Sequence, residues 1–230
     1  MRPSFDAEND FLPDLDAIPE ETARRAKFIY INYPNNPTGA VATKAFYEKL
    51  VAWAKTYEVG VVSDLAYGAL GYQGYENPSF LSTPGAKDVG IEFYTSRKPS
   101  IWLVGVWPFA AGNGQMIEAL NLIQDHLFVG IFPALQEAGI AALLNPNSEE
   151  AVAQLNATYD SRRDAFVQAA AKIGWQAFPS RGSFYAWMPV PEGYTSESFA
   201  DLLLEKVHVA VAPGKDLVLR VMLMFALGFW

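Results

Sequence analysis

Polar side chains follow three apolar segments of this chain, each at the point where the segment ends. Asn36 lies in the turn-rich sequence N-Y-P-N-N-P-T-G after the first segment, Asp64 follows the second, and residues 95–98 follow the third. In open α/β sheets, ligands bind beyond the carboxyl ends of the strands. An amide, a carboxylate, a hydroxyl and an amine at one such edge could bind a polar ligand and transfer protons.

Each of these groups also has a purely structural explanation when it is taken alone. The N-P-T-G sequence is a favourable turn, an aspartate after a strand often caps the next helix, and a single lysine is usually solvated. A functional interpretation therefore depends on the elements that bring the three segments together.

The first half of the chain has the pattern of a parallel sheet. Residues 27–31, 59–62 and 91–94 are short apolar runs rich in β-branched and aromatic residues. Apolar residues recur at helical spacing over residues 43–57, between the first two runs. Near-continuous apolar strands that alternate with helices are typical of a parallel α/β sheet. Such a sheet would place the three strand ends at one edge.

The pattern becomes helical farther along the chain. Residues 112–144 are expected to be mostly helical, and residues 148–174 are expected to form a long helix with a polar face. Asp160, Arg162 and Arg163 on that helix are predicted to be solvated and to form local ion pairs.

A small α+β unit is predicted near the end of the chain. The sequence indicates a strand at 184–190, a helix at 196–205 and a strand at 207–211, and His208 is expected to be a core residue of the last strand. The turn sequence L-N-P-N-S near residues 143–147 predicts the boundary between this unit and the sheet domain.

Composition excludes several classes of protein. The 230 residues are 51% hydrophobic and 18% charged, which is typical of a globular protein. The net charge of −8 does not favour a nucleic-acid partner. The chain has no cysteine and two histidines, so a thiolate or histidine-rich metal site is not expected, and a reducing cytoplasm fits. Its most apolar stretch, residues 218–230, is shorter than the roughly 20 residues of a membrane helix, so no membrane span is predicted.

Four segments together resemble the class I/II aminotransferases of fold type I, which depend on pyridoxal 5'-phosphate. They are N-Y-P-N-N-P-T-G at 32–39, S-D-L-A-Y at 63–67, Y-T-S-R-K at 94–98 and G-S-F-Y-A-W at 182–187. A single N-P-T-G would be weak support, but all four segments in this order are specific.

The resemblance implies an α/β fold in two parts. Residues 1–144 would be the C-terminal part of a cofactor-binding large domain, with a mainly parallel sheet and helices on both faces. Residues 145–230 would be an incomplete α+β small domain. Intact members of the family are expected to be homodimers.

The resemblance also implies a role for each candidate residue. Asp64 would keep the pyridine nitrogen of the cofactor protonated, and Asn36 and Tyr67 would donate to its phenolic oxygen. Lys98 would attach the cofactor covalently and move a proton during the reaction. Thr95 would bind the cofactor phosphate.

The substrates implied are an amino acid and a 2-oxo acid. The segments at 85–92, 121–126 and 189–197 look like the methionine-salvage branch, which transfers an amino group to 4-methylthio-2-oxobutanoate. The LL-diaminopimelate aminotransferases share much of the same sequence and are the nearest alternative. The β-C–S lyases and decarboxylases share the fold and cofactor, so a different reaction of the same class is also open.

Two windows depart from the family pattern, and both departures have the form of a reading-frame shift. After Lys98 the family has T-[YF]-N-M-A-G-W-R, whose arginine binds the cofactor phosphate, whereas this chain has Val106 at the arginine position. Residues 96–108 can be read in the neighbouring frame by joining the third base of each codon to the first two bases of the next. The genetic code then permits the sequence L-S-K-T-F-N-M-A-G-W-R-V-A. The same shift over residues 215–230 permits a G-D-A-Y-V-R-V sequence. In the family, the arginine of this segment binds the substrate α-carboxylate, whereas this chain has Phe225 at that position. True divergence into an apolar C-terminal strand is the alternative.

The chain also begins where the family is already inside its large domain. The glycine-rich phosphate loop and the aromatic residue that stacks on the cofactor ring are expected to lie upstream of Met1. The sequence therefore predicts a fragment or damaged copy of an aminotransferase, whose chain as written binds the cofactor weakly or not at all and is inactive. A non-catalytic fragment that pairs with an intact paralogue is the alternative from another functional class.

Overall fold

The computed structural model describes residues 9–95, 108–127, 130–175, 177–178, 180–214 and 224–228. Lys98 lies outside these residues, as do Val106 and most of both windows that depart from the family pattern. In the described part of the chain, helices surround two sheets, which confirms the predicted α/β class.

The first sheet has the order β1 (Phe28–Asn32), β2 (Gly60–Asp64), β3 (Gly90–Thr95) and β4 (Pro108–Gly112). The first three strands are parallel and correspond to the three predicted apolar runs. The fourth strand is antiparallel and was not predicted, because P-F-A-A-G has one aromatic residue and no β-branched residue. The sheet is therefore mainly parallel.

One helix precedes the first strand and another follows it. They are α1 (Glu20–Arg25) and α2 (Lys44–Tyr57), and α2 connects the first two parallel strands as predicted. The Thr43 side chain accepts a hydrogen bond of 3.1 Å from the Phe46 N–H, which caps the start of α2.

The helix α2 covers one face of the sheet and forms the main core with it. Its buried positions recur every three or four residues, which is the pattern of an amphipathic helix. The cluster contains these buried residues: Leu15, Ile31, Tyr33, Ala42, Phe46, Tyr47, Leu50, Val51, Ala54, Val61, Phe80 and Ala86.

The predicted helical region after β4 consists of two helices. A short 3-10 helix (Phe80–Ser82) and α3 (Ala86–Val89) precede β3, and the two later helices are α4 (Gly114–Leu127) and α5 (Pro133–Leu144). No residue of α4 is buried against the described part of the chain, and Gly139 is the one buried residue of α5.

The long helix α6 (Ser148–Lys172) begins where it was predicted to begin. The prediction of a solvated face is wrong for Arg163, whose side chain is buried. The guanidinium is paired with Asp160 at 2.7 Å and packs over the Tyr72 ring at 5.0 Å. A sequence pattern cannot show this burial, because the covering tyrosine lies on a distant loop.

The second sheet is antiparallel and has the order β5 (Tyr185–Pro189), β7 (Met224–Gly228) and β6 (Ala212–Pro213). Helix α7 (Ser196–Val207) precedes β6, and a capping box between Thr195 and Ser198 starts this helix. β5 and α7 confirm the predicted strand at 184–190 and the predicted helix at 196–205.

The prediction for His208 is wrong. The residue is exposed, and it ends α7 in the left-handed conformation with φ of 56° instead of lying in a core strand. The predicted strand at 207–211 is therefore wrong as well. Helix α7 continues through Lys206 and Val207, residues 208–211 form neither helix nor strand, and β6 follows at Ala212–Pro213.

Of the helices in the described ranges, none has the length and apolar character needed to cross a membrane.

Candidate active site

The polar residues that end the parallel strands lie side by side. Asn32, the last residue of β1, pairs in register with Asp64, the last residue of β2, and Asp64 pairs with Phe93, two residues before Thr95. Neighbouring strands lie about 4.8 Å apart, so these strand ends form one continuous polar edge. The predicted convergence of Asp64 and Thr95 at this edge is therefore confirmed for the backbone.

The Asp64 carboxylate is exposed and half of it is already bound. Oδ1 accepts a hydrogen bond of 3.0 Å from the Ala66 N–H, which fixes the orientation of the side chain. Oδ2 has no hydrogen-bond partner and no cation within ion-pair distance in the part of the chain that the structure describes. The free oxygen is thus available to a ligand beyond the strand ends.

The side chain of Asn32 connects the two neighbouring loops. Its Nδ2 donates to the backbone oxygen of Asp64 at 3.1 Å, and its Oδ1 accepts from the Asn36 N–H at 2.9 Å. This contact places the exposed Asn36 side chain beside the same edge. Asn32 was not predicted as a site residue, although it is the last residue of a strand, directly before the turn.

Tyr67 lies on the loop that follows β2 and is buried. Its ring makes an edge-to-face contact with Phe184 at 5.4 Å between centroids. Its hydroxyl lies 3.2 Å from the hydroxyl of Tyr185, the first residue of β5. Tyr185 was not predicted as a site residue, because it belongs to a different sheet and 118 positions separate the two tyrosines.

A hydrogen-bond network around the buried Glu92 fixes the end of β3. The buried Glu92 carboxylate accepts hydrogen bonds from the Ser63 hydroxyl at 3.0 Å and the Phe80 N–H at 2.8 Å, and also from the Ser79 hydroxyl. Burial and the bond to Glu92 raise the pKa of Tyr94 to about 12. This network holds the strand that leads to the half-buried Thr95.

The turn at residues 33–39 is joined to the segment 180–185. The N–H groups of Arg181 and Gly182 donate to the Gly39 oxygen at 3.2 and 3.3 Å. Gly39 has φ of +70°, and a Cβ built on it would lie 2.2 Å from Ser180 Oγ. Only glycine fits this turn, since both the backbone conformation and the close approach exclude a side chain.

The loop after Tyr67 is joined to α6. Asn156 Nδ2 donates to the Ala69 oxygen at 2.8 Å, and Asp160 Oδ2 accepts from the Gln73 N–H at 3.2 Å. Arg163 adds its ion pair with Asp160 and its contact with the Tyr72 ring. The loops of the candidate site are therefore fixed by elements on both sides of the predicted domain boundary.

The fold defines a class of protein: a mainly parallel α/β domain, in which ligands bind beyond the carboxyl ends of the strands. The sequence model of the family "Aminotransferase class I and II" matches residues 2–223. The chain belongs to this family, whose members depend on pyridoxal phosphate.

Two relatives carry aminotransferase names. The L-glutamine--4-(methylsulfanyl)-2-oxobutanoate aminotransferase of Bacillus subtilis is 54% identical over 89% of this chain and 51% of the relative. The LL-diaminopimelate aminotransferase of Moorella thermoacetica is 48% identical over 90% of this chain and 53% of the relative. The chain thus spans about half the length of the curated relatives it matches.

Solved structures agree with the family. The substrate-bound structure of BacF from Bacillus subtilis superposes with a TM-score of 0.91 at 38% identity, over 98% of this chain and 57% of that one. An aminotransferase from Staphylococcus aureus superposes with a TM-score of 0.89 at 35% identity, over 95% of this chain and 57% of that one.

The described residues fit the ring of pyridoxal 5'-phosphate. The free oxygen of Asp64 suits a protonated ring nitrogen, and the amide of Asn36 and the hydroxyl of Tyr67 can donate to an anionic ring oxygen. Thr95 ends the third strand and offers a hydroxyl for the phosphate. The donor types at this edge therefore match the three kinds of polar atom that such a cofactor presents.

Proposed function

We propose that the edge formed by Asn36, Asp64, Tyr67 and Thr95 binds pyridoxal 5'-phosphate for the transfer of an amino group from an amino acid to a 2-oxo acid. The observation that carries this proposal is the Asp64 carboxylate at the end of a parallel strand: one oxygen is fixed by a hydrogen bond, and the other has no partner among the residues that the structure describes. When bound, the cofactor supplies an electron sink for the reaction.

Asp64 holds a proton on the ring nitrogen of the cofactor. A carboxylate next to that nitrogen favours its charged form, because opposite charges at close range stabilise each other. The Ala66 N–H keeps the carboxylate in place without neutralising it. Asparagine at this position would preserve the shape and remove the charge.

Asn36 and Tyr67 donate hydrogen bonds to the ring oxygen and keep it anionic. The Asn32 side chain holds the Asn36 backbone at the strand edge, and Phe184 packs against the Tyr67 ring. Thr95 donates its hydroxyl to the phosphate.

Lys98 is the residue that we propose to attach the cofactor covalently and to move the proton of the substrate. The proposal for this residue depends on the Y-T-S-R-K sequence alone, since Lys98 lies outside the described residues. A primary amine three positions after the end of β3 is close enough in sequence to reach the same edge.

For the substrate we favour a 2-oxo acid of the methionine-salvage type. The support is the 54% identity with the relative named for 4-(methylsulfanyl)-2-oxobutanoate, against 48% for the LL-diaminopimelate relative. We further propose that the whole protein is a cytoplasmic homodimer.

The chain as written is expected to bind the cofactor weakly. Val106 occupies the predicted phosphate-arginine position and Phe225 the predicted substrate-arginine position, and a dianionic phosphate needs charge-assisted donors.

Partner binding is a second candidate function. Leu122, Leu127 and Leu144 are 60%, 69% and 77% exposed, and exposed apolar patches of this kind are typical of interaction surfaces.

Cofactor titration tests the proposal. Absorbance and fluorescence titrations with pyridoxal 5'-phosphate should give saturable binding to the wild-type chain and about tenfold weaker binding to Asp64→Asn, because the charged partner of the ring nitrogen is lost. Asp201→Asn is the matched control, since Asp201 is exposed on α7 away from the strand ends. Equal affinities for wild type and Asp64→Asn would contradict the proposed site.

Mixing with a full-length relative tests the second candidate. Co-purification of the chain with the intact Bacillus subtilis relative, without cofactor-dependent activity of the chain itself, would support a partner-binding role.

A further inference from the structure

Two tyrosine hydroxyls meet beside the candidate site. The Oη atoms of Tyr67 and Tyr185 lie 3.2 Å apart, and their rings are nearly perpendicular at 5.8 Å between centroids. Tyr67 is buried and Tyr185 is half-buried. The contact joins the loop after β2 to the first residue of the second sheet.

The backbone that carries Tyr185 is held against both loops of the site. Arg181 N–H donates to the Gly39 oxygen of the N-P-T-G turn at 3.2 Å, and the Arg181 oxygen accepts from the Tyr72 N–H at 3.1 Å. The Tyr72 hydroxyl also donates to the Ser183 oxygen. These hydrogen bonds fix the backbone next to Tyr185, so its hydroxyl has a defined position relative to that of Tyr67.

The chemistry of a phenol fixes the direction of this hydrogen bond when the cofactor is present. A phenol has one O–H donor and can accept hydrogen bonds at the same oxygen. If Tyr67 donates its proton to the ring oxygen of the cofactor, it can only accept from Tyr185. A donor at the Tyr67 oxygen polarises the Tyr67 O–H and strengthens its donation.

We infer that Tyr185 is a positioning residue, whose hydroxyl donates to Tyr67 and directs the Tyr67 O–H toward the ring oxygen of pyridoxal phosphate. This inference rests on the proposed function. It adds to the site a residue of the second sheet, which sets the orientation of a cofactor-binding group on the loop after β2.

A double-mutant cycle measures the coupling between the two hydroxyls. Dissociation constants for pyridoxal 5'-phosphate should rise about three- to tenfold in Tyr67→Phe and about threefold in Tyr185→Phe, the range for loss of one hydrogen bond. The double variant should bind no more weakly than Tyr67→Phe, because Tyr185 acts through Tyr67. Tyr30→Phe is the control, since Tyr30 is 74% exposed on β1.

Additive effects in the cycle, or unchanged affinity in Tyr185→Phe beside weakened affinity in Tyr67→Phe, would overturn the inference and leave the proposed function standing. Unchanged affinity in Tyr67→Phe, or no cofactor binding to the wild-type chain, would contradict the proposed function and the inference together.

A second measurement needs no cofactor. In the chain labelled with [13Cζ]tyrosine, the NMR resonance of Tyr67 should shift in Tyr185→Phe and stay unchanged in Tyr30→Phe, because the Tyr185 hydroxyl shares a hydrogen bond with the Tyr67 oxygen, whereas Tyr30 is 74% exposed on β1. An unchanged Tyr67 resonance in Tyr185→Phe would overturn the inference, whatever the affinities.

Discussion

Two regions of the molecule differ in how their residues are held. The site junction, defined here as residues 32–39, 64–73 and 180–185, is joined by hydrogen bonds between residues far apart in sequence. The outer helices, α4 and α5, have one buried residue between them against the described part of the chain. The outer helices are formed by local sequence, whereas the site junction contains no helix and is held by hydrogen bonds between distant segments.

The site junction is held by contacts within this chain, whereas the apolar side chains of the outer helices are not buried by any of the described residues. Side chains that must hold a small cofactor within fractions of an ångström need rigid support. The site junction provides that support within this chain. The outer helices present leucines to solvent, which is the surface expected to meet another part or copy of the protein.

Truncating a core leucine should produce the largest contrast between the two regions. Leu50 is fully buried under the sheet, so Leu50→Ala should lower the free energy of unfolding by about 2–5 kcal/mol. Leu122→Ala, on an outer helix at 60% exposure, should change it by less than about 0.5 kcal/mol. Urea unfolding followed by circular dichroism measures both, and similar losses would contradict the contrast.

Removing the buried guanidinium tests the connection between α6 and the site junction. Arg163→Met should lower the free energy of unfolding by about 2 kcal/mol. This is less than the ~3–5 kcal/mol for breaking a fully buried ion pair, because Asp160 keeps 29% of its side chain exposed. Arg162→Met, one position along at an exposed site, should cost much less in the same unfolding experiment.

Alkaline pH should weaken the support of β3. The pKa of Tyr94 is raised from 10 to about 12 in the folded chain, so between these values the unfolded state loses the proton first. Stability is therefore complete below pH 10 and falls as the pH rises toward 12. Unfolding measured from pH 9 to 11 should show this fall, and Tyr94→Phe should make it shallower; an identical slope would exclude Tyr94 as a contributor.

The smallest effect on stability is expected on the outer helices. Leu127 is 69% exposed at the end of α4, so Leu127→Gln should change the free energy of unfolding by less than about 0.5 kcal/mol. The same change should reduce self-association in light scattering, because it removes exposed apolar surface. A loss of several kcal/mol would show that this leucine is buried in solution.

Sequence reasoning predicted the elements that depend on local patterns. The three parallel strands and α2 were evident because their apolar residues recur at the spacing of a strand or helix, and Thr43 marked the helix start. Because these strands are parallel, Asp64 and Thr95 at their carboxyl ends lie at one edge of the sheet. β4 was missed because its short sequence lacks a strong strand propensity.

The contacts between distant segments were not predictable in this way. Arg163 looks like a surface residue of a polar helix until Tyr72 covers it, and Tyr185 looks like an ordinary strand residue until it meets Tyr67. Such pairings depend on how the two sheets pack together. They are also the contacts that turn a polar strand edge into a positioned site.

The measurement that tests the central claim most directly is the 15N NMR spectrum of pyridoxal 5'-phosphate labelled at its ring nitrogen, bound to excess protein. We expect a protonated ring nitrogen in the wild-type chain at neutral pH and a deprotonated one in Asp64→Asn, because the carboxylate stabilises the charged ring and the amide does not. The same resonance for both proteins would contradict the assignment of this strand edge as the cofactor site.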